Sequence, residues 1–171
     1  MRNLIALISL LGITGNIIAN DSKPVPQVKA CSSSEYQQFD FWLGHWSVTT
    51  NGKPAGENHI KKVYSGCALA ENWSSSSSEF QGGSYNIYDQ SRKLWHQTWV
   101  DSSGSLLQLE GGLVDGSMVL QGNTIDKGGE PVQQRISWTP NSDGSVRQHW
   151  QVRKQNASWK TIFDGLYVRK Q

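Results

Sequence analysis

The chain has little of what marks several large protein classes. Its 171 residues include only two cysteines, Cys31 and Cys67, which excludes a disulfide-dense scaffold. Neither has a second Cys or a His at ligand spacing, so no metal site is expected. An excess of one charge is also missing. Lys and Arg total 16 against 14 Asp and Glu, a formal net charge of +2. The basic residues do not cluster in the sequence: eight form the separate pairs Lys61-Lys62, Arg92-Lys93, Arg153-Lys154 and Arg169-Lys170, and the rest stand singly. Such a balance carries no electrostatic footprint for nucleic acid. No apolar run reaches the ~20 residues of a membrane-spanning helix. Neither a Gly-x-Ser-x-Gly elbow nor a His-x-x-x-His pair occurs, so the common hydrolase and helical zinc signatures are absent. After residue 44 no segment keeps helical spacing for a useful length, and no gap is long enough for a parallel crossover.

What the chain does have begins with a leader. Arg2 precedes the apolar stretch Leu4 to Ile13, too short to span a bilayer, and Ile17-Ile18-Ala19 offers a cleavage site. Residues 1–19 are expected to be a signal peptide and residues 20–30, with Pro24 and Pro26, a flexible leader. Residues 31–171 are then one exported domain, periplasmic or secreted, with enough chain for a sizeable core. In an exported protein the isolated pair Cys31 and Cys67 is expected to form a disulfide.

The aromatic cluster Phe39-Asp40-Phe41-Trp42-Leu43-Gly44-His45-Trp46 reads as a short helical plug ending at Gly44, with a strand starting at Trp46. From there stretches rich in Val, Ile, Thr, Tyr and Trp alternate with Gly, Asn, Asp and Ser. Strands are expected near 45–51, 58–66, 68–74, 82–89, 93–101, 105–112, 116–123, 131–139, 144–153 and 157–169. The turns between them include Asp89 to Arg92, Asp101 to Gly104, Asp115-Gly116, Lys127 to Gly129 and Asn141 to Gly144. Ser74 to Ser78 reads as a loop. About ten short strands with tight turns make an all-β antiparallel meander, and closure into an up-and-down barrel removes its edges. A two-sheet sandwich is the alternative.

The strand period assigns an inward face. It holds Trp95, Gln97 and Trp99; Val132, Gln134, Ile136 and Trp138; Val146, Gln148, Trp150 and Val152; and Trp159, Thr161, Phe163 and Tyr167. Glu71 joins it beside Leu69 and Trp73. A filled core avoids so many amides, because each needs partners once buried. Aromatic walls with a few placed polar groups are what a small-molecule pocket uses. The expected lining is Glu71, Trp95, Gln97, Trp99, Gln134, Gln148 and Trp150. Wet barrel ends, or amides bonded to one another, would account for the same pattern without a ligand.

Gly44-His45-Trp46 resembles the Gly-x-Trp opening of calycins, the superfamily of lipocalins and fatty-acid-binding proteins. The resemblance implies that Trp46 packs under an Arg from the end of the last strand, for which Arg169 is the match. The chain from about residue 31 to 169 also resembles a family of exported bacterial proteins without an assigned activity. That family carries a Phe-Asp-Phe-Trp-x-Gly-x-Trp opening, a Trp-His-Gln-Thr-Trp-Val-Asp strand and a Phe-Asp-Gly-x-Tyr close, here residues 39–46, 95–101 and 163–167. The resemblance implies fold and export and transfers no catalytic residue. Asn51 to Glu57 is too short for the two helices that fatty-acid-binding proteins insert. Ten strands without that lid are closer to the haem-binding nitrobindin-type barrel, whose glycine-rich opening is absent here. His45, His96 and His149 fall on outward positions and His59 opens the second strand, so no axial ligand stands out.

The resulting expectation is a barrel that binds a small amphipathic or aromatic molecule, with no assigned catalytic residue, metal or cofactor. The alternatives are a haem-binding or barrel-mouth enzyme, in which Glu71 and Asp101 would be pocket carboxylates, and a structural module with a filled core.

Overall fold

A computed structural model describes residues 29–155 and 157–170. The expected signal peptide and the leader up to residue 28 lie outside the described residues.

Short turns set the strand order. The strands are β1 (Gly44–Thr50), β2 (Lys53–Val63), β3 (Ala68–Ser75), β4 (Gln81–Asp89), β5 (Leu94–Asp101), β6 (Leu106–Val114), β7 (Ser117–Ile125), β8 (Pro131–Pro140), β9 (Val146–Lys154) and β10 (Lys160–Arg169). Each pairs antiparallel with its sequence neighbours, and β1 pairs β10, so the sheet closes into a ten-strand up-and-down barrel. The sandwich alternative is thereby excluded. The two-residue turns Asn51-Gly52 and Asp115-Gly116 have all four residues at positive φ, the twist that suits a tight hairpin. Longer connections are tied by aspartates. Asp89, Asp101, Asp126 and Asp143 each accept backbone N–H bonds from residues two to four positions on.

The aromatic cluster forms two 3₁₀ turns, Ser34–Gln37 and Asp40–Trp42, that close one end of the barrel. Phe39 stacks on Trp42 at 4.9 Å and meets Trp95 and Trp138 edge-on at 5.6 and 5.2 Å. Phe39, Trp42 and Trp46 are fully buried. Outside, Asp40 pairs with Lys62 at 2.7 Å. The disulfide Cys31–Cys67 ties the segment before the plug to the start of β3.

Closure is sealed where β1 meets β10. Trp46 is in register with Arg169, whose guanidinium carbon lies 4.4 Å from the indole centroid. Arg169 Nη1 donates to the Leu43 carbonyl at 2.8 Å, and Trp46 Nε1 donates to the Trp42 carbonyl at 2.9 Å. Gly44 is required between them. It has φ +140, and a Cβ there would lie 2.4 Å from Arg169 Nη1. A closed ten-strand antiparallel barrel is consistent with a calycin-like fold.

The inward set read for the last strand needs correction. A bulge between Thr161 and Phe163 shifts the alternation of β10. Thr161 faces outward, where its Oγ1 meets His149 Nε2 at 2.9 Å. Trp159 also lies outside, with the guanidinium carbons of Arg135 and Arg153 4.2 and 4.5 Å from its ring centroid. Ile162, half exposed, borders the mouth of the lumen.

Candidate functional site

The half of the barrel away from the plug is hollow. A cavity of about 350 Å³ opens at the end where the Ser76–Phe80 loop, the Asp101 turn and the start of β10 meet. Its walls are mainly rings: Trp73, Trp99, Trp138, Trp150 and Phe163, with Phe80 and Ile162 at the rim. Glu71, Gln97, Gln148 and Tyr167 supply its deeper polar groups, and Asp101, Ser75 and Ser78 those of the mouth.

Glycines explain why these rings leave space. Cβ atoms at Gly82, Gly56 and Gly165 would lie 2.2, 2.6 and 2.4 Å from the rings of Trp99, Trp73 and Phe163. Each ring therefore lies flat on bare backbone of its own or a neighbouring strand instead of projecting across the lumen. Tryptophans at the plug end pack ring against ring, whereas those near the mouth lean on the wall.

The expected lining residues divide. Glu71, Gln97, Trp99, Gln148 and Trp150 face the cavity. Trp95 and Gln134 do not. Trp95 sits at the start of β5, nearest the plug, where its Nε1 donates to Gln38 Oε1 at 3.1 Å. Gln134 is spent within the wall: its Oε1 accepts the Trp150 Nε1–H at 2.8 Å and its Nε2 donates to Thr124 at 2.8 Å. Both residues share the inward face, but depth along the barrel axis separates Trp95 from the cavity and pairing separates Gln134.

A buried polar strip runs across β2 to β5, and its Glu71 and Gln97 face the cavity. Asn58 Nδ2 donates to Glu71 Oε1 at 2.7 Å, and Ser84 Oγ donates to Oε2 at 2.5 Å. Asn86 Nδ2 donates to Ser84 Oγ at 2.8 Å, and Gln97 Nε2 donates to Asn86 Oδ1 at 2.8 Å. All five residues are buried. Burial pushes the Glu71 carboxyl up to about 7, against the two hydrogen bonds, which pull it down. From β10 Tyr167 donates to Gln148 Oε1, and burial together with the nearby Glu71 charge pushes its phenol above the ordinary range, against the Asn58 side chain, which pulls it down. At the rim, burial raises the Asp101 carboxyl, but bonds from Ser103, Trp99 and Ser105 outweigh it and hold it below the usual range. Asn58 Oδ1 and Trp138 Nε1 are buried and have no hydrogen-bond partner among the described residues.

Asn58, Ser84 and Asn86 were not read as inward from the sequence. In β4 the usual pattern is inverted: Ser84 and Asn86 point in, while Tyr85 and Ile87 are 55% and 40% exposed. The signal that could have found them is register, since Asn86 lies opposite Gln97 and Ser84 opposite both Glu71 and Trp99.

The four histidines stay off the cavity. His45 approaches Glu57 and stacks near His59, while His96 meets Glu110 and Thr98. His149 meets Thr161. The lumen thus offers no imidazole to a haem iron. Among the described residues no three of His, Cys, Asp and Glu gather as a metal site, and no helix is long and apolar enough to cross a membrane. No protein-family model matches the chain, and no curated protein matches it.

Proposed function

We propose that this protein is an exported barrel, made with a signal peptide at residues 1–19 and a leader to residue 30, that binds a small amphipathic or aromatic molecule. The observation that carries this reading is the cavity of about 350 Å³ with flattened aromatic walls and buried amides turned into it. The volume lies within the range of small-molecule sites, and aromatic walls with few polar groups are their usual lining. Glu71, Gln97, Trp99, Gln148 and Trp150 bind the ligand, and Trp73, Phe163 and Tyr167 join them. A filled-core structural module gives no reason for the glycines beneath Trp73, Trp99 and Phe163. The disulfide and the absence of a spanning helix among the described residues are compatible with a periplasmic or secreted protein.

Native mass spectrometry of the protein purified without denaturation tests the proposal. A discrete added mass, released by denaturation and diminished in Gln97→Leu or Gln148→Leu, is the expected result. A bare polypeptide mass that stays bare after exposure to small aromatic and amphipathic compounds would leave the filled-core reading standing.

One observation favours a second reading, a barrel-mouth enzyme. A buried carboxyl that titrates near 7 is suited to take or give a proton at neutral pH. On that reading Glu71→Gln would retain the bound mass and lose its conversion to a product.

A further inference from the structure

We infer that the ligand is cationic: a flat apolar body bearing one ammonium group, which seats on the Glu71 carboxylate. The inference rests on the ligand-binding reading above and names its ligand class.

The charges facing the cavity have one sign. Its lining contains Glu71 and Asp101 and no Lys, Arg or His. A carboxylate buried without a cation is costly, and a ligand that brings the cation removes the cost. Asp101 is already spent. Its Oδ2 accepts the Trp99 indole N–H, and its Oδ1 holds the Ser103–Ser105 turn. Glu71 is different, because each of its oxygens accepts only one bond and retains a free lone pair.

The strip around Glu71 is oriented for a negative charge. Gln97 donates to Asn86 and Asn86 donates to Ser84, which leaves the Ser84 proton for Glu71 Oε2. Asn58 donates to Oε1 from the other side. Donors therefore run toward the carboxylate from two directions, the arrangement that charge-assisted bonds favour. Beside Glu71 the Asn58 amide keeps a buried Oδ1 with no partner among the described residues, so the strip holds a surplus of acceptors. An ammonium carries three donors and no acceptor. The faces of Trp73, Trp99 and Trp150 complete the match, since indole faces attract cations.

Other titratable groups facing Glu71 do not compete. From β10 the Tyr167 phenol donates to Gln148 and stays neutral, and from the end of β5 Asp101 stays ionised. Gln148, which reaches the cavity from β9, does not ionise, and neither do Asn58, Ser84 and Asn86, buried around Glu71 from β2 and β4. The affinity for an ammonium ligand therefore follows the protonation of Glu71 alone.

Calorimetric titration with three probes of one shape tests this: 2-(1-naphthyl)ethylammonium, 2-(1-naphthyl)ethanol and 1-naphthylacetate. The ammonium probe is expected to bind at least about tenfold more tightly than the alcohol, and the acetate most weakly. In Glu71→Gln the preference for ammonium over alcohol should collapse. The native protein supplies an arm that does not depend on the variant folding. An alkylammonium, with an ordinary pKa of about 10, stays charged from about pH 5.5 to 8.5. Its advantage over the alcohol should grow across that window as Glu71 loses its proton, with alcohol affinity flat. Equal binding of the three probes, or an ammonium preference that survives in Glu71→Gln or ignores pH, would overturn the proposal and leave the pocket reading intact. Binding of none of them would overturn both.

Discussion

The two ends of this barrel use the same residue type for opposite purposes. At the plug end Trp42, Trp46 and Trp95 are fully buried, Trp42 and Trp95 against Phe39 and Trp46 against Tyr167. Toward the mouth Trp73, Trp99 and Trp150 are only partly buried and border open space. The difference lies in what is beneath each ring. Trp42 and Trp95 pack on the Phe39 ring, whereas Trp73 and Trp99 rest on Gly56 and Gly82, with Phe163 edge-on to Trp73. Aromatic content alone therefore does not distinguish a core from a pocket, and the residue opposite each ring decides.

Removing a ring should separate the two ends most strongly. Trp42→Ala opens a cavity in a filled region and is expected to cost about 3–5 kcal/mol. Trp99→Ala removes a ring already facing space and should cost about 1–2 kcal/mol. Urea denaturation of the two variants checks the contrast, and equal losses would erase it.

The disulfide braces the plug end only. Cys31→Ser or Cys67→Ser should lower stability by about 2–5 kcal/mol, with the loss read in the same denaturation experiment. Ligand uptake at the mouth should persist in whatever fraction remains folded.

At the mouth end pH should do what mutation does at the plug. The folded-state pKa of Glu71 is raised from 4.5 to about 7, so between those values the unfolded chain gives up a proton that the folded one keeps. Stability contributed by the neutral carboxyl is full below about 4.5 and falls as pH rises toward 7. At about 1.4 kcal/mol per pH unit the loss is about 3 kcal/mol. Glu71→Gln should remove that slope and be more stable than the native protein at pH 8, as unfolding midpoints across pH would show.

The smallest stability effect is expected at Gly82→Ala. The new Cβ would lie 2.2 Å from the Trp99 ring, which has empty lumen into which it can move. Stability should change by about 1 kcal/mol or less, while ligand uptake drops because the displaced ring fills the cavity.

Much of the fold was legible because period and turn chemistry agree. The strands of β5, β8 and β9 show one apolar face in sequence and bury it in the structure. Gly44 and Trp46 pointed to the closing contact with Arg169. Two things were not legible. The bulge in β10 adds a residue without a sequence signal, so Trp159 and Thr161 were placed inside when they lie outside. Depth was the other. Alternation says which face a side chain takes and nothing about its height in the barrel, which is why Trp95 was grouped with Trp99. The network that holds Glu71 was hidden because β4 buries its polar face and exposes Tyr85 and Ile87.

The comparison of the two ends is tested most directly by following the indole N–H resonances of isotope-labelled protein while 2-(1-naphthyl)ethanol is added. The signals of Trp73, Trp99, Trp138 and Trp150 are expected to shift with a common saturation curve, while those of Trp42, Trp46 and the outer Trp159 stay in place. Shifts confined to the plug tryptophans, or spread evenly over all of them, would contradict a filled end and a hollow one.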